Sequence, residues 1–257
     1  MGKSTLKECE IAFTVATFLL NTHRLHKVVD FYNKAQSLLK PAQFKDPNIC
    51  KLLLCLLHTC QAYTLHSLGS LNEALAKYKE ALQVSQAVGG LRELDVTIYS
   101  RISDIYSSLG KQEEVIFYES KLLEIAKETG DKQREVRAYE NIGHACFVLN
   151  RHHKSIEFEN ETLRVSRQTG FRQRESCALF NPGSAFKALS QYDKAVSHLN
   201  EALQIRREIR DLQEEAKLHQ QLGDTYHELK AFDKALDCHT KSLELKITVR
   251  DIFEQGV

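Results

Sequence analysis

The side chains of this 257-residue chain best suited to metal binding or catalysis are its seven cysteines and eleven histidines. Cys50, Cys55 and Cys60 follow one another at five-residue steps. On a helix each such step turns about 140°, so the three thiols splay around the axis and cannot share a ligand. There is no Cys-x-x-Cys pair, and an odd number of free thiols fits a reducing compartment. Buried, unreactive thiols are the expectation. His152 and His153 are adjacent and point about 100° apart on a helix, so they cannot ligate one ion together. His227-Glu228 lacks the second histidine of a zinc-protease helix, because Ala231 stands four residues on. No glycine-rich phosphate loop, nucleophile elbow or dinucleotide fingerprint occurs. Asn160-Glu161-Thr162 matches a glycosylation sequon but falls inside an expected helix, and we read it as chance. Catalytic residues, metal ligands and cofactors are therefore expected to be none, and the chain reads as a non-enzyme.

Charge and hydropathy narrow the classes further. Thirty-five basic and 34 acidic side chains leave a formal net charge of +1. A nucleic-acid binder needs a basic stripe to displace counterions, and none is visible. Hydrophobic residues make up 42% and charged residues 27%, the balance of a folded domain, and three prolines leave little room for long loops. No apolar run approaches the roughly 20 residues of a membrane span. The stretch Ile11 to Leu20 carries two threonines and follows Glu8 and Glu10, unlike a secretory signal. Leu6 stands where a myristoylation signal requires Ser or Thr. A cytoplasmic location without membrane insertion is the expectation.

What must position the remaining polar residues is a repeat. From about residue 96 the sequence recurs every 40 positions: Leu109, Leu149, Leu189 and Leu229 are in register, as are Leu123, Leu163, Leu203 and Leu243. A small residue recurs at Ser103, Gly143, Gly183 and Gly223, followed three positions later by Tyr106, Cys146, Phe186 or Tyr226. One inserted residue near Gly89-Gly90 carries the register back to Leu68-Gly69 and Ala74. A diverged copy precedes it, in which Leu25, Val28 and Ala35 match Tyr192, Ala195 and Ala202.

Each unit reads as two helices. Leu218, Leu222, Tyr226 and Leu229 are spaced four, four and three, which is one face of a 3.6-residue helix. After a short turn, Phe232, Ala235, Leu236, Leu243 and Leu245 form a second. Glycine inside a helix costs roughly 1 kcal/mol relative to alanine, so its recurrence needs a packing reason: it lets the partner helix approach. Gly130 and Gly170 stand where second helices should close. No strand alternation is present. The predicted fold is all-α, an α-α superhelix of about six helix–turn–helix repeats in which each pair buries its apolar face against its neighbours.

At this point a resemblance is specific. Leu222-Gly223-Asp224-Thr225-Tyr226 with Leu229, Phe232, Lys234-Ala235 and Ser242-Leu243 resembles the tetratricopeptide consensus. Ser190-Gln191-Tyr192-Asp193-Lys194-Ala195 with Glu201-Ala202-Leu203 resembles its second half. The 40-residue period is similar to that of the subclass holding LGN/Pins-type G-protein-signalling modulators, rapsyn and kinesin light chains. The expected organisation is a divergent helical pair over 1–40, a linker over 41–47 and five repeats over 48–250. These fall at 48–89, 90–130, 131–170, 171–210 and 211–250, and the start of a truncated seventh unit follows at 251–257. Pro182 replaces an apolar residue inside a first helix, where proline removes a backbone hydrogen bond; it is read either as a kink that opens a groove or as a tolerated local defect.

In tetratricopeptide proteins the first helices line a concave groove. The resemblance, carried over by register, implies groove positions Ser100, Arg101 and Asp104, then Arg137, Glu140, Asn141, His144 and Phe147. It continues with Phe180, Asn181, Ser184 and Lys187, and with Lys217, Gln220 and Asp224. Within each set the spacing places the residues on one helical face. The set is polar and mixed in sign, which suits a peptide or helix. His144, Ser184 and Asp224 stand where the family's chaperone-binding members carry asparagine, which argues against a carboxylate clamp. Phe147 and Phe180 are either aromatic anchors or packing residues, and Asn141 and Asn181 either bond a peptide backbone or act locally. The expected function is a scaffold or adaptor that holds a partner protein. The alternative is a structural segment stacking within a larger assembly, and self-association is compatible with the pattern.

Overall fold

The computed structural model describes the backbone of residues 25–38 and 47–254. Most of the divergent N-terminal pair, residues 41–46 of the expected linker and the last three residues lie outside the described residues. Eleven helices are described: α1 Leu25–Leu38, α2 Pro47–Ser67, α3 Leu71–Gln86, α4 Arg92–Ser108, α5 Gln112–Thr129, α6 Lys132–Val148, α7 His152–Thr169, α8 Arg172–Ala188, α9 Tyr192–Glu208, α10 Leu212–Glu228 and α11 Phe232–Glu254. No strand occurs among the described residues. Two compact units divide the chain at residue 111. The first contains α1–α4 and the second α5–α11.

The period survives in the backbone. First helices open at Arg92, Lys132, Arg172 and Leu212 and close at Ser108, Val148, Ala188 and Glu228. Each closes with the same turn: the N–H of Ser70, Lys111, Arg151, Gln191 or Ala231 donates to the carbonyl five residues back. The residue before that donor takes positive φ. It is Gly69 and Gly110 in two copies but Asn150, Ser190 and Lys230, near 57°, in the others. The hydrogen-bonded turn therefore holds even side chains that disfavour this conformation. Gly130 and Gly170 close second helices at φ 71° and 73°. At the N-terminal ends Asp131 and Asp211 accept from the backbone N–H of Arg134 and Glu214, as N-caps do. Pro47 opens α2, the helical position that needs no N–H partner.

The small register positions act as packing reasoning requires. A Cβ at Gly183 would lie 2.8 Å from Leu199 of α9, and one at Gly143 would lie 3.1 Å from Glu159 of α7. In the second unit Leu179, Leu199, Ala202, Leu203, Ile205, Leu218, Leu222 and Cys238 form one buried cluster across α8–α11. Val136, Tyr139 and Val165 form another between α6 and α7. In the first unit α2 buries Cys55, Leu57 and Ala62 and α3 buries Ala74, Tyr78 and Ala81. Helix α8 runs through the buried Pro182 as one helix, although proline has no N–H to donate there. Helix α11 continues through Arg250 to Glu254 without the turn that Arg210 makes after α9.

Candidate functional site

In the second unit the first helices α6, α8 and α10 touch in sequence order and form a wall. The register places Arg137, Glu140, Asn141, His144 and Phe147 on α6, Phe180 to Lys187 on α8 and Lys217 to Asp224 on α10. These positions divide by what the side chains already hold.

Asn141 and Asn181 are committed inward. Asn141 Nδ2 donates to Glu119 of α5 at 2.9 Å, and Asn181 Nδ2 donates to Glu159 of α7 at 2.7 Å. Both glutamates are buried. Burial pushes the Glu159 carboxyl up to about 8; the Asn181 hydrogen bond opposes the rise and the nearby Glu140 charge adds to it. Glu140 also turns inward. It pairs with Arg174 of α8, and burial raises its pKa while Arg174 opposes. Phe180 packs against the α8–α11 cluster and is no free anchor. Phe147 is half-buried with its ring 5.3 Å from that of His152.

Arg137, His144, Lys217 and Gln220 are exposed. Lys217 bonds Glu214 at 2.6 Å on its own helix, and Gln220 accepts from Lys246 of α11 at 2.7 Å. Lys187 reaches Gln221 of α10 at 3.4 Å, and Asp224 lies 3.8 Å from His239. Ser184 is half-buried. Exposed pairs of this kind are worth about 0–1 kcal/mol, so a ligand can displace them. At one end the wall opens into a cleft of about 590 Å³ lined by Arg134, Arg137, Arg172 and Arg174 over Phe171 and Val136.

In the first unit Ser100, Arg101 and Asp104 lie on α4. The Arg101 guanidinium sits 5.7 Å from the Tyr63 ring centre and 3.6 Å from Asp104. Tyr63 and Leu56 of α2 are exposed, which makes this surface more apolar than the polar wall of α6, α8 and α10.

Reading the sequence missed Glu119, Glu159 and Arg174. A signal for the glutamates was present. Glu119 shares a face with Val115, Leu122 and Ala126, where a carboxylate has no reason to stand unless a partner helix answers it. Burial raises the pKa of the Cys50, Cys60, Cys146, Cys177 and Cys238 thiols, and pushes Cys55 up to about 11. They are therefore protonated and poor nucleophiles. Among the described residues no group of three or more His, Cys, Asp or Glu is placed to hold a metal ion, and no helix is long and apolar enough to cross a membrane.

No curated protein matches the sequence. Among solved structures, BtubC (BKLC) from P. vanneervenii is similar at a TM-score of 0.67 and 19% identity, covering 88% of this chain and 92% of its own. The apo form of RapI aligns at 0.63 and 14%, over 95% and 99%. The kinesin light chain TPR-like repeats of P. anserina align at 0.63 and 12%, over 76% and 95%. These likenesses show a shared fold. The tetratricopeptide-repeat profile matches residues 52–128 and 174–247, more than half of the sequence. With the helical pairs, the small-residue register and the recurring turns already described, that match settles the family: the chain belongs to the tetratricopeptide-repeat proteins.

Proposed function

We propose that this protein is a non-enzymatic scaffold whose wall of first helices holds a peptide or helical segment of a partner protein. The observation that carries the reading is the division of the wall in the second unit. The inward-facing Asn141, Asn181 and Glu140 tie neighbouring repeats together. Arg137 and His144 on α6 and Lys217 and Gln220 on α10 meet solvent, on the two helices that flank α8. A rigid surface with exchangeable polar groups along the wall suits an extended or helical ligand, because ordering such a wall adds little entropy loss on binding. The aromatic and polar mixture on α2 and α4, at Tyr63, Arg101 and Asp104, supports the same use in the first unit.

The test is quantitative capture of partners from cytosolic extract by wild type, by Arg137→Glu/Lys217→Glu and by Lys154→Glu on α7. Glu140 is avoided because a lysine there would unseat Arg174. Loss of the captured set in the double variant alone supports wall binding. Identical sets from all three proteins would overturn it.

A further inference from the structure

The cleft at the end of the wall differs from its counterpart one repeat on. Arg134 and Arg137 of α6 and Arg172 and Arg174 of α8 line it, and no carboxylate does. Phe171 and Val136 give it an apolar floor, fixed in the packed cluster between α6 and α7. The register shows that this composition is local. Phe171 takes the position of Asp131 and Asp211, the residues that cap α6 and α10. The matching cleft one repeat on holds a single arginine, Arg210, beside Asp211 and Leu212. The counterparts of Arg172 and Arg174 on α10 are Leu212 and Glu214.

Three of the four guanidiniums are held from outside the cleft. Arg174 pairs with Glu140, Arg172 pairs with Glu208 and with Glu175 at 2.6 Å, and Arg134 Nε lies 3.4 Å from Asp131. The Glu140 and Glu175 side chains are almost wholly buried, whereas those of Arg172 and Arg174 are about half exposed. A guanidinium has five N–H donors, and one carboxylate occupies at most two, so oriented donors remain on the cleft side. The internal carboxylates also set a threshold. A ligand carboxylate offers these arginines only what they already have. A phosphate monoester carries up to about two charges and three acceptor oxygens, so it can accept from several guanidiniums while their internal pairs stay in place. Arginine's planar fork matches such a group bidentately.

We infer that this cleft holds a phosphorylated side chain of a partner peptide, with a neighbouring apolar side chain of that peptide against Phe171. The inference rests on the wall reading above and names the chemistry that the wall's ligand carries at this end.

The test passes three random peptide libraries over the immobilised full chain. Their fixed centres are phosphorylated serine, threonine or tyrosine, the same residues unphosphorylated, and glutamate. Retention of the phosphorylated library alone is the expected result. The best-retained phosphopeptide is then titrated by fluorescence anisotropy against wild type and two double variants, with melting curves as the folding check. Arg134→Gln/Arg137→Gln leaves Arg172 and Arg174 on their carboxylates, and is expected to weaken binding at least about tenfold at an unchanged melting point. Lys121→Gln/Lys154→Gln removes the same charge from α5 and α7 and is expected to bind as wild type does. Retention of no library, equal retention of the glutamate library, or equal weakening by both double variants each overturns the inference. If no library is retained while partner capture is still lost in the wall variant, the phosphate inference falls and the scaffold reading stands.

Discussion

The two units use one backbone plan and join their helices with different chemistry. In the first, α2 buries Leu57 and Ala62 and α3 buries Ala74, Tyr78 and Ala81, and the Cys55 thiol of α2 donates to the Ala81 carbonyl at 3.2 Å. In the second, the Cys55 position is Val136 on α6 and Ala216 on α10 but Ser176 on α8, whose hydroxyl donates to the Ala202 carbonyl at 3.3 Å and accepts from Arg206 Nε at 2.8 Å. Arg206, almost wholly buried, also bonds Asp211, the Gln173 carbonyl and Cys177. The Asn–Glu pairs at Glu119 and Glu159 extend the same habit. The joint between α2 and α3 draws most of its strength from apolar area, and it holds a titrating contact in the buried His58 of α2, 3.3 Å from Glu80 of α3, whose pKa burial lowers. A buried polar joint holds only while every partner is present, and it fixes which atoms meet.

The largest effect expected from breaking this contrast is at Leu57, which is fully buried where the register places Ala138, Ala178 and Leu218 in the second unit. Leu57→Ala is expected to destabilise the first unit by about 2–5 kcal/mol, since its neighbours are built around the larger side chain. Urea titration followed by hydrogen exchange checks both the size of the loss and its confinement to one unit.

Next comes the polar joint. Asn181→Leu removes the donor that the buried Glu159 uses while keeping the volume. Leaving that carboxyl without its partner is expected to cost about 1–3 kcal/mol. The variant should also raise the Glu159 pKa further, because Asn181 is what lowers it. Denaturation midpoints at pH 7, with carboxyl-labelled NMR for the titration, measure both.

The fold that makes these joints was legible in the sequence, the polar pairing within them only in part. The 40-residue register, the small residues at Gly143, Gly183 and Gly223, and the apolar face of each helix identify the fold, because each follows from the spacing within a single helix. Which polar wall residues remain available does not follow from such spacing. Asn141 and Asn181 share a face with His144 and Ser184, yet their partners stand 22 residues earlier on the preceding second helix. Pairing across helices depends on interhelical distance and side-chain direction, neither of which a one-dimensional register carries. Phe180 shows the same limit: its helical face was readable, its half-burial against the α8–α11 cluster was not.

The pH response sharpens the contrast in the opposite sense. Glu159 titrates near 8 when folded against 4.5 for an exposed carboxyl. Across that window the native state keeps a proton that the unfolded chain releases, so this group's contribution to stability is greatest below about pH 4.5 and declines as pH rises toward 8. Glu159→Gln removes this group's slope and is expected to be more stable than wild type at pH 8.5, though not at pH 4.5. The joint between α2 and α3 has no equivalent carboxyl, because the register position of Glu159 in α3 is Tyr78. Thermal melts at the two pH values, with Leu57→Ala as a reference whose deficit stays constant, test the assignment.

The finest test lies within the second unit, at its glycines. A Cβ at Gly183 would meet Leu199 at 2.8 Å, and Leu199 is buried in the cluster with no open side to move toward. A Cβ at Gly223 would come closer still, 2.6 Å from the His239 ring, but that ring is 43% exposed and can swing outward. Distance alone would make Gly223→Ala the worse change, whereas the freedom of the neighbour reverses the order. Alanine gains roughly 1 kcal/mol of helix propensity in either place, and overpacking a fixed neighbour costs about 1–3 kcal/mol. Gly183→Ala is therefore expected to lose about 1 kcal/mol net, and Gly223→Ala to be neutral or slightly stabilising. Equal losses in parallel melts would mean that His239 is held as firmly as Leu199, and that its contact with Asp224 fixes the last repeat more tightly than an exposed pair should.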